Sequence, residues 1–266
     1  MQIGICASVE TAAKLPPDGF DFFELNVQSF LVPEKDESAF EPNLRLATAL
    51  PRPVKAANCF LPGNLKCVGP AVDSSRLLRY AGEAFSRAGR TGIDLIVFGS
   101  GAARTVPDGF GKGEAIAQFV ELLRSLGPLA SAHGVTIAVE PLHRAECNFI
   151  NSLAEGAEVV RQADHANVRL LADLYHMRME AEPLSELVRH GSLLAHVHAA
   201  EFSERGWPGK SGEDFTAFLR ALAEAGYSGP LSIECTWGDI LSEIAPSLRF
   251  LHGEIGRAAR LSGSHF

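Results

Sequence analysis

Apolar residues follow two alternating rhythms along this chain. Short runs rich in apolar and β-branched residues recur at Ile3–Ala7, Phe22–Val27, Val54–Phe60, Ile93–Gly99, Val135–Glu140, Val168–Asp173, Leu193–His198 and Pro230–Glu234, and runs of this length read as strands. Most are separated by segments whose apolar residues return every three or four positions, the spacing of a helix that buries one face. That spacing is clearest at Phe215, Phe218, Leu219 and Leu222, closed by Gly226, and similar stretches lie near Ser74–Ala88, Glu114–His133, Ser152–Gln162 and Ser242–Ala259. Gly127-Pro128 is expected to break or kink the second of these four stretches, because proline lacks an amide proton and crowds the preceding turn. Residues 28–53 hold Pro33, Pro42, Pro51 and Pro53 and predict one less regular helix. Eight strands alternating with helices predict an α/β fold, a (β/α)8 barrel that takes residues 1–266 as one domain.

Four consecutive runs end on a polar side chain: VTIAVE on Glu140, VRLLAD on Asp173, LLAHVH on His198 and LSIE on Glu234. In a (β/α)8, or TIM, barrel the interior is packed with side chains, and functional groups come from the C-terminal ends of the strands. Strand side chains alternate with period 2, so Thr136, Ala138 and Glu140 share a face, as do Leu171 with Asp173, His196 with His198 and Ser232 with Glu234. In each set the last residue is the one nearest the active face. Three carboxylates and one imidazole converging there make a divalent-metal site. Oxygen-rich ligation with a single histidine suits Mn²⁺, with Mg²⁺ or Co²⁺ as alternatives, over a structural zinc built from Cys and His. Any one of the four alone could be an ion-paired residue at a strand end; four on successive strands argue against coincidence.

Composition narrows the partners. At 266 residues and 46% hydrophobic content the chain can bury one large core. A net charge of −8 argues against nucleic acid as the main partner, which calls for a basic field, and points to a small-molecule substrate. The five cysteines, at positions 6, 59, 67, 147 and 235, show no CxxC pair or zinc-finger spacing and read as reduced thiols of a cytoplasmic protein. MQIGICASVE begins on a strand-like run without the features of a signal peptide, and no stretch is apolar over a membrane-spanning length, so no membrane role is expected.

These motifs resemble the xylose-isomerase-like TIM barrels, and within them the ketose 3-epimerases acting on tagatose and allulose (psicose). The family's E-x5-E is matched by Glu140 to Glu146, its D-x-x-H by Asp173-Leu-Tyr-His176, and its closing-strand Glu by Glu234 in SIECTWGD. Its metal-binding His, followed by an acidic residue, an Arg and a PG turn, is matched by His198, Glu201, Arg205 and Pro208-Gly209. Arg205 lies seven residues after His198, where the family's Arg lies six after. The segments CASVETAA and NCFLPGNLKCVGP stand where much of the family carries an aromatic, Gly-rich lid, which implies a different sugar specificity.

The resemblance implies a metal-dependent sugar isomerase or epimerase that transfers a proton through a metal-stabilised enediolate. Glu140, Asp173, His198 and Glu234 would hold the metal, Glu140 and Glu234 would also act as the acid/base pair, and Glu146, His176 and Arg205 would grip substrate hydroxyls. Family members are commonly dimers or tetramers. An unphosphorylated sugar is favoured, since no Lys/Arg cluster marks the mouth. A lyase on a keto-sugar or keto-cyclitol shares the first proton abstraction and stays open, as does a non-catalytic sugar-binding barrel. An endonuclease-like repair enzyme would need more histidines and a basic groove. Weaker candidates are Glu24, Asn58, Ser100, Gly101, Arg104, His143 and Asn148 near the mouth, His196 one layer below His198, and the flanking Trp207 and Trp237. GSGAAR lacks the spacing of a phosphate cradle.

Overall fold

In the computed structural model, which describes residues 1–262, the apolar runs become parallel strands that close into a ring. In chain order they are β1 (Ile3–Cys6), β2 (Phe22–Asn26), β3 (Val54–Asn58), β4 (Leu95–Phe98), β5 (Thr136–Val139), β6 (Val168–Asp173), β7 (Leu194–Ala199) and β8 (Leu231–Ile233). Each pairs with its sequence neighbour, and β8 returns to β1 through Ile3 opposite Leu231 and Ile5 opposite Ile233. Helices Glu37–Thr48, Ser74–Thr91, Lys112–Ala132, Leu153–Ala163, Thr216–Glu224 and Ile240–Ser262 fill the connections. The protein is therefore the (β/α)8 TIM barrel that the alternation predicts.

Of the break or kink expected at Gly127-Pro128, the break does not occur, and one helix runs from Lys112 to Ala132 with Pro128 inside it. Proline removes a single backbone bond there, while Leu123, Leu126, Gly127 and Ala130 all stay buried and hold the helix in place. Gly127 is pressed against the next connection, where a Cβ would stand 2.5 Å from Cγ of His165. The less regular segment after β2 contains a π-type turn, Val27–Leu31, followed by helix Glu37–Thr48.

The period-2 rule sorts the barrel interior into an apolar floor and a polar roof. Phe22, Ala56, Leu95, Val97, Ala138 and Leu171 form a closed apolar cluster inside the ring. Two residues further along their strands stand Glu24, Asn58, Glu140 and Asp173, all buried. Gly4 makes room for the floor, because a Cβ there would lie 2.3 Å from the Phe22 ring. The larger apolar cluster lies between barrel and helices, with Phe60, Phe85, Phe98, Phe119 and Phe149 fully buried. The buried carboxylates inside the barrel therefore stand above this apolar floor, toward the C-terminal ends of the strands.

Candidate metal centre

Glu140, Asp173, His198 and Glu234 each bring one ligand atom to a common point, with those atoms within 4.8 Å of one another. Asp173 ends β6 and also caps the short helix behind it, since its Oδ1 accepts the His176 amide proton at 3.1 Å. Glu140 and Glu234 stand one residue past the last assigned strand position. Their amides still extend the sheet, donating to Phe98 O and Ala199 O at 3.3 Å each. Nδ1 of His198 lies 3.4 Å from Glu140 Oε1, 3.8 Å from Asp173 Oδ2 and 3.2 Å from Glu234 Oε2. Gly99 leaves the space that the Glu140 carboxylate occupies.

Two atoms of this cluster, Glu140 Oε1 and His198 Nδ1, are buried with no aligned hydrogen-bond partner. Buried polar atoms without partners are costly, and a divalent cation would satisfy both together with the two neighbouring carboxylates. The donor set of three carboxylates and one imidazole therefore fits such an ion. Electrostatics agree. Burial opposes protonation of His198, yet Glu24 and Glu234 hold its pKa well above the usual imidazole value. Burial raises the Glu140 pKa, and the charge of Glu234 adds to the rise. Burial works the same way on Glu234, but His198 and Arg205 win and bring it down to about 2.

Beside the cluster a cavity of about 290 Å³ opens at the barrel mouth, lined among others by Gln28, Asn58, Glu146, His176 and Arg205. His176 is oriented by the loop after β5, whose His143 amide donates to His176 Nδ1 at 3.3 Å. In its neutral form His176 thus carries its proton on Nε2, and Nε2 lies 4.0 Å from both Glu140 Oε1 and Glu146 Oε2. Glu146 itself is 43% exposed. In the loop after β7, Glu204 and Arg205 both take left-handed conformations (φ 56° and 49°). The Arg205 guanidinium turns inward, with Nη2 2.5 Å from Glu234 Oε2 and 3.5 Å from Asp173 Oδ2, and it lies over the Tyr175 ring. Buried Glu201 ties this loop down, accepting from the amides of Gly209, Ser211, Gly212 and Glu213.

Of the weaker candidates, Asn58 reaches the site, donating to Glu234 Oε1 at 3.2 Å. Arg104 does not face the cavity; it is fully buried and donates to the backbone carbonyls of Phe98 and Glu140. Asn148 exchanges bonds with the Val106 backbone. His196 sits below His198 against Glu24. Gln28 and Cys59, which the sequence pattern did not single out, also line the mouth. Their position just beyond β2 and β3 was the available signal.

A family model described as Xylose isomerase-like TIM barrel matches residues 10–252. The D-psicose 3-epimerase of Ruminiclostridium cellulolyticum is 36% identical over 116 residues, 43% of this chain and 39% of that protein. The L-ribulose 3-epimerase of Mesorhizobium japonicum is 33% identical over 122 residues, 46% of this chain and 41% of that protein. These alignments thus span about two fifths of the length of the curated relatives. A solved structure of an L-ribulose 3-epimerase superposes with a TM-score of 0.81, covering 98% of this chain and 97% of that one at 20% identity, a likeness of fold.

Proposed function

This chain belongs to the xylose isomerase-like TIM barrel family, and we propose that it works there as a divalent-metal-dependent sugar isomerase of the ketose 3-epimerase type. The observation that carries the reading is the convergence of Glu140, Asp173, His198 and Glu234 beside a sugar-sized cavity. Glu140, Asp173, His198 and Glu234 would hold a divalent ion, which would supply Lewis-acid polarisation of the substrate carbonyl. Glu140 and Glu234, on strand ends three apart around an eight-strand ring, reach the substrate from different sides. One takes the proton from the carbon beside the carbonyl, and the other returns a proton to the opposite face. His176, Glu146 and Arg205 bind and orient the sugar hydroxyls.

An unphosphorylated sugar fits best, since Arg205 is the cation lining the cavity and Glu234 and Asp173 already engage it. The ion we propose is Mn²⁺, with Mg²⁺ and Co²⁺ as alternatives of the same hard-donor preference. The described residues 1–262 act as one barrel domain, and positions 263–266 of the expected domain lie outside the described residues. The free thiols support a cytoplasmic setting, no described helix is long and apolar enough to cross a membrane, and light scattering would separate monomer from the expected dimer or tetramer.

The test is proton–deuterium exchange in D₂O with free ketoses, cyclitol ketones and keto-glycosides, using ion-free protein and protein supplied with Mn²⁺. Metal-dependent label beside the carbonyl, with an isomeric sugar as product, is the expected result. Loss of water or aglycone would move the protein to the lyases, and absence of exchange on every substrate by ion-loaded protein would overturn the reading.

A further inference from the structure

Beneath the candidate metal ligands lies a buried polar chain that the proton-transfer chemistry does not use. Glu24, the middle residue of β2, points into the barrel with no exposed surface, and its two oxygens face two imidazoles. Oε1 lies 3.0 Å from Nε2 of His198, and Oε2 lies 2.8 Å from Nε2 of His196. Ser232 Oγ completes the row at 3.1 Å from His196 Nε2. A carboxylate in an apolar barrel is costly unless each oxygen is paired, and here two ring N–H groups supply the pairing.

From this geometry we propose that Glu24, backed by His196, is the positioning residue of the metal centre. By accepting the Nε2 proton of His198 it fixes that ring's tautomer and tilt, and so directs the bare Nδ1 to the ion. A neutral imidazole has one donor and one acceptor nitrogen. With Nε2–H committed to Glu24, the acceptor can only be Nδ1, the atom that stands among Glu140, Asp173 and Glu234 and has no aligned partner of its own. His196 in turn holds the carboxylate from its other oxygen, so that Glu24 cannot rotate away when its partner ring is pulled toward a cation. Carboxylates placed this way orient ligating histidines and raise their basicity.

The proposal rests on the four-residue cluster being a cation site, and the experiment separates the two. Titration calorimetry of Mn²⁺ into the wild-type protein tests the cluster first: no uptake would remove the premise and the proposal together. Given uptake, Glu24→Gln keeps size and one acceptor oxygen but places an amide N–H₂ donor on the other arm, whereas Glu24→Ala removes both oxygens. Mn²⁺ affinity is expected to fall roughly 10- to 100-fold in E24A and less in E24Q, with a changed absorption spectrum of the Co²⁺ forms. A readout independent of any variant's folding is nitrogen-15 NMR of the histidine rings in wild-type protein loaded with diamagnetic Zn²⁺. His198 coordinated through Nδ1 with its proton on Nε2 supports the proposal. Coordination through Nε2, or wild-type affinity in folded E24A, overturns it.

Discussion

A Cβ placed on Gly99 would stand 2.2 Å from Oε2 of Glu140, so the bare backbone after β4 is part of what seats that carboxylate. Glu140 is only 5% exposed and has little room to retreat. Gly99→Ala is therefore expected to push the carboxylate off the cation position and to weaken Mn²⁺ binding on the order of tenfold or more, by analogy with displaced supports of metal ligands. Overpacking costs about 1–3 kcal/mol, small enough to leave a folded barrel. Calorimetric Mn²⁺ titration alongside a thermal melt decides it, and unchanged affinity would mean that Glu140 does not ligate.

Arg205 offers a second test. Its guanidinium lies 2.5 Å from Glu234 Oε2 and helps to hold that carboxyl low. With Arg205→Ala the Glu234 pKa should rise, and the acid limb of the rate profile should move to higher pH. Arg205→Lys keeps the charge but loses the planar fork, so its acid limb should stay nearer wild type while KM for the sugar rises about 10-fold, the size of a lost charge-assisted hydrogen bond. If both variants kept the wild-type profile, Arg205 would be a loop residue with no hold on the site.

Most of this arrangement was legible in the sequence because strand periodicity is strict. Once Glu140, Asp173, His198 and Glu234 are read as last inward residues of consecutive strands, a closed barrel leaves them nowhere to go but a common rim. Loops do not obey such a rule. The inward turn of Arg205 depends on two successive left-handed residues and on the amides gathered by Glu201, none of which a spacing count reveals. Glu24 was visible as an acid on the second apolar run, but its two imidazole partners lie more than 170 residues away along the chain. The unbroken helix through Pro128 shows tertiary packing overriding a local rule.

Cation uptake should depend on pH in a definite direction. In the ion-free protein burial opposes a charge on His198, but Glu24 and Glu234 outweigh it and hold the pKa well above the ordinary imidazole value, so a divalent ion must compete with a proton for the ring. Affinity is expected to rise as pH rises through the neutral range, with about one proton released per ion bound. Calorimetry in buffers of different ionisation enthalpy measures the release. An affinity flat with pH would show that the imidazole is already bare.

Away from the cation position, Glu182 predicts a stability effect of opposite slope to an ordinary surface carboxylate. Burial pushes its pKa up to about 7 while its Oε1 accepts the Leu153 amide at 2.7 Å, at the start of helix Leu153–Ala163. In the unfolded chain a glutamate titrates near ~4.3. The folded protein therefore binds this proton more tightly, and the contribution is fully present below the unfolded value. It is lost as pH rises from about 4.3 through about 7, and is constant above that. Because the side chain is only partly buried, solvent screening limits the effect to ~1 kcal/mol. Glu182→Gln keeps the acceptor for Leu153 and cannot ionise, so relative to wild type it should gain about that much stability between pH 4 and pH 8. Urea melts of both proteins across that range measure the difference, and parallel curves would show that Glu182 titrates normally in the fold.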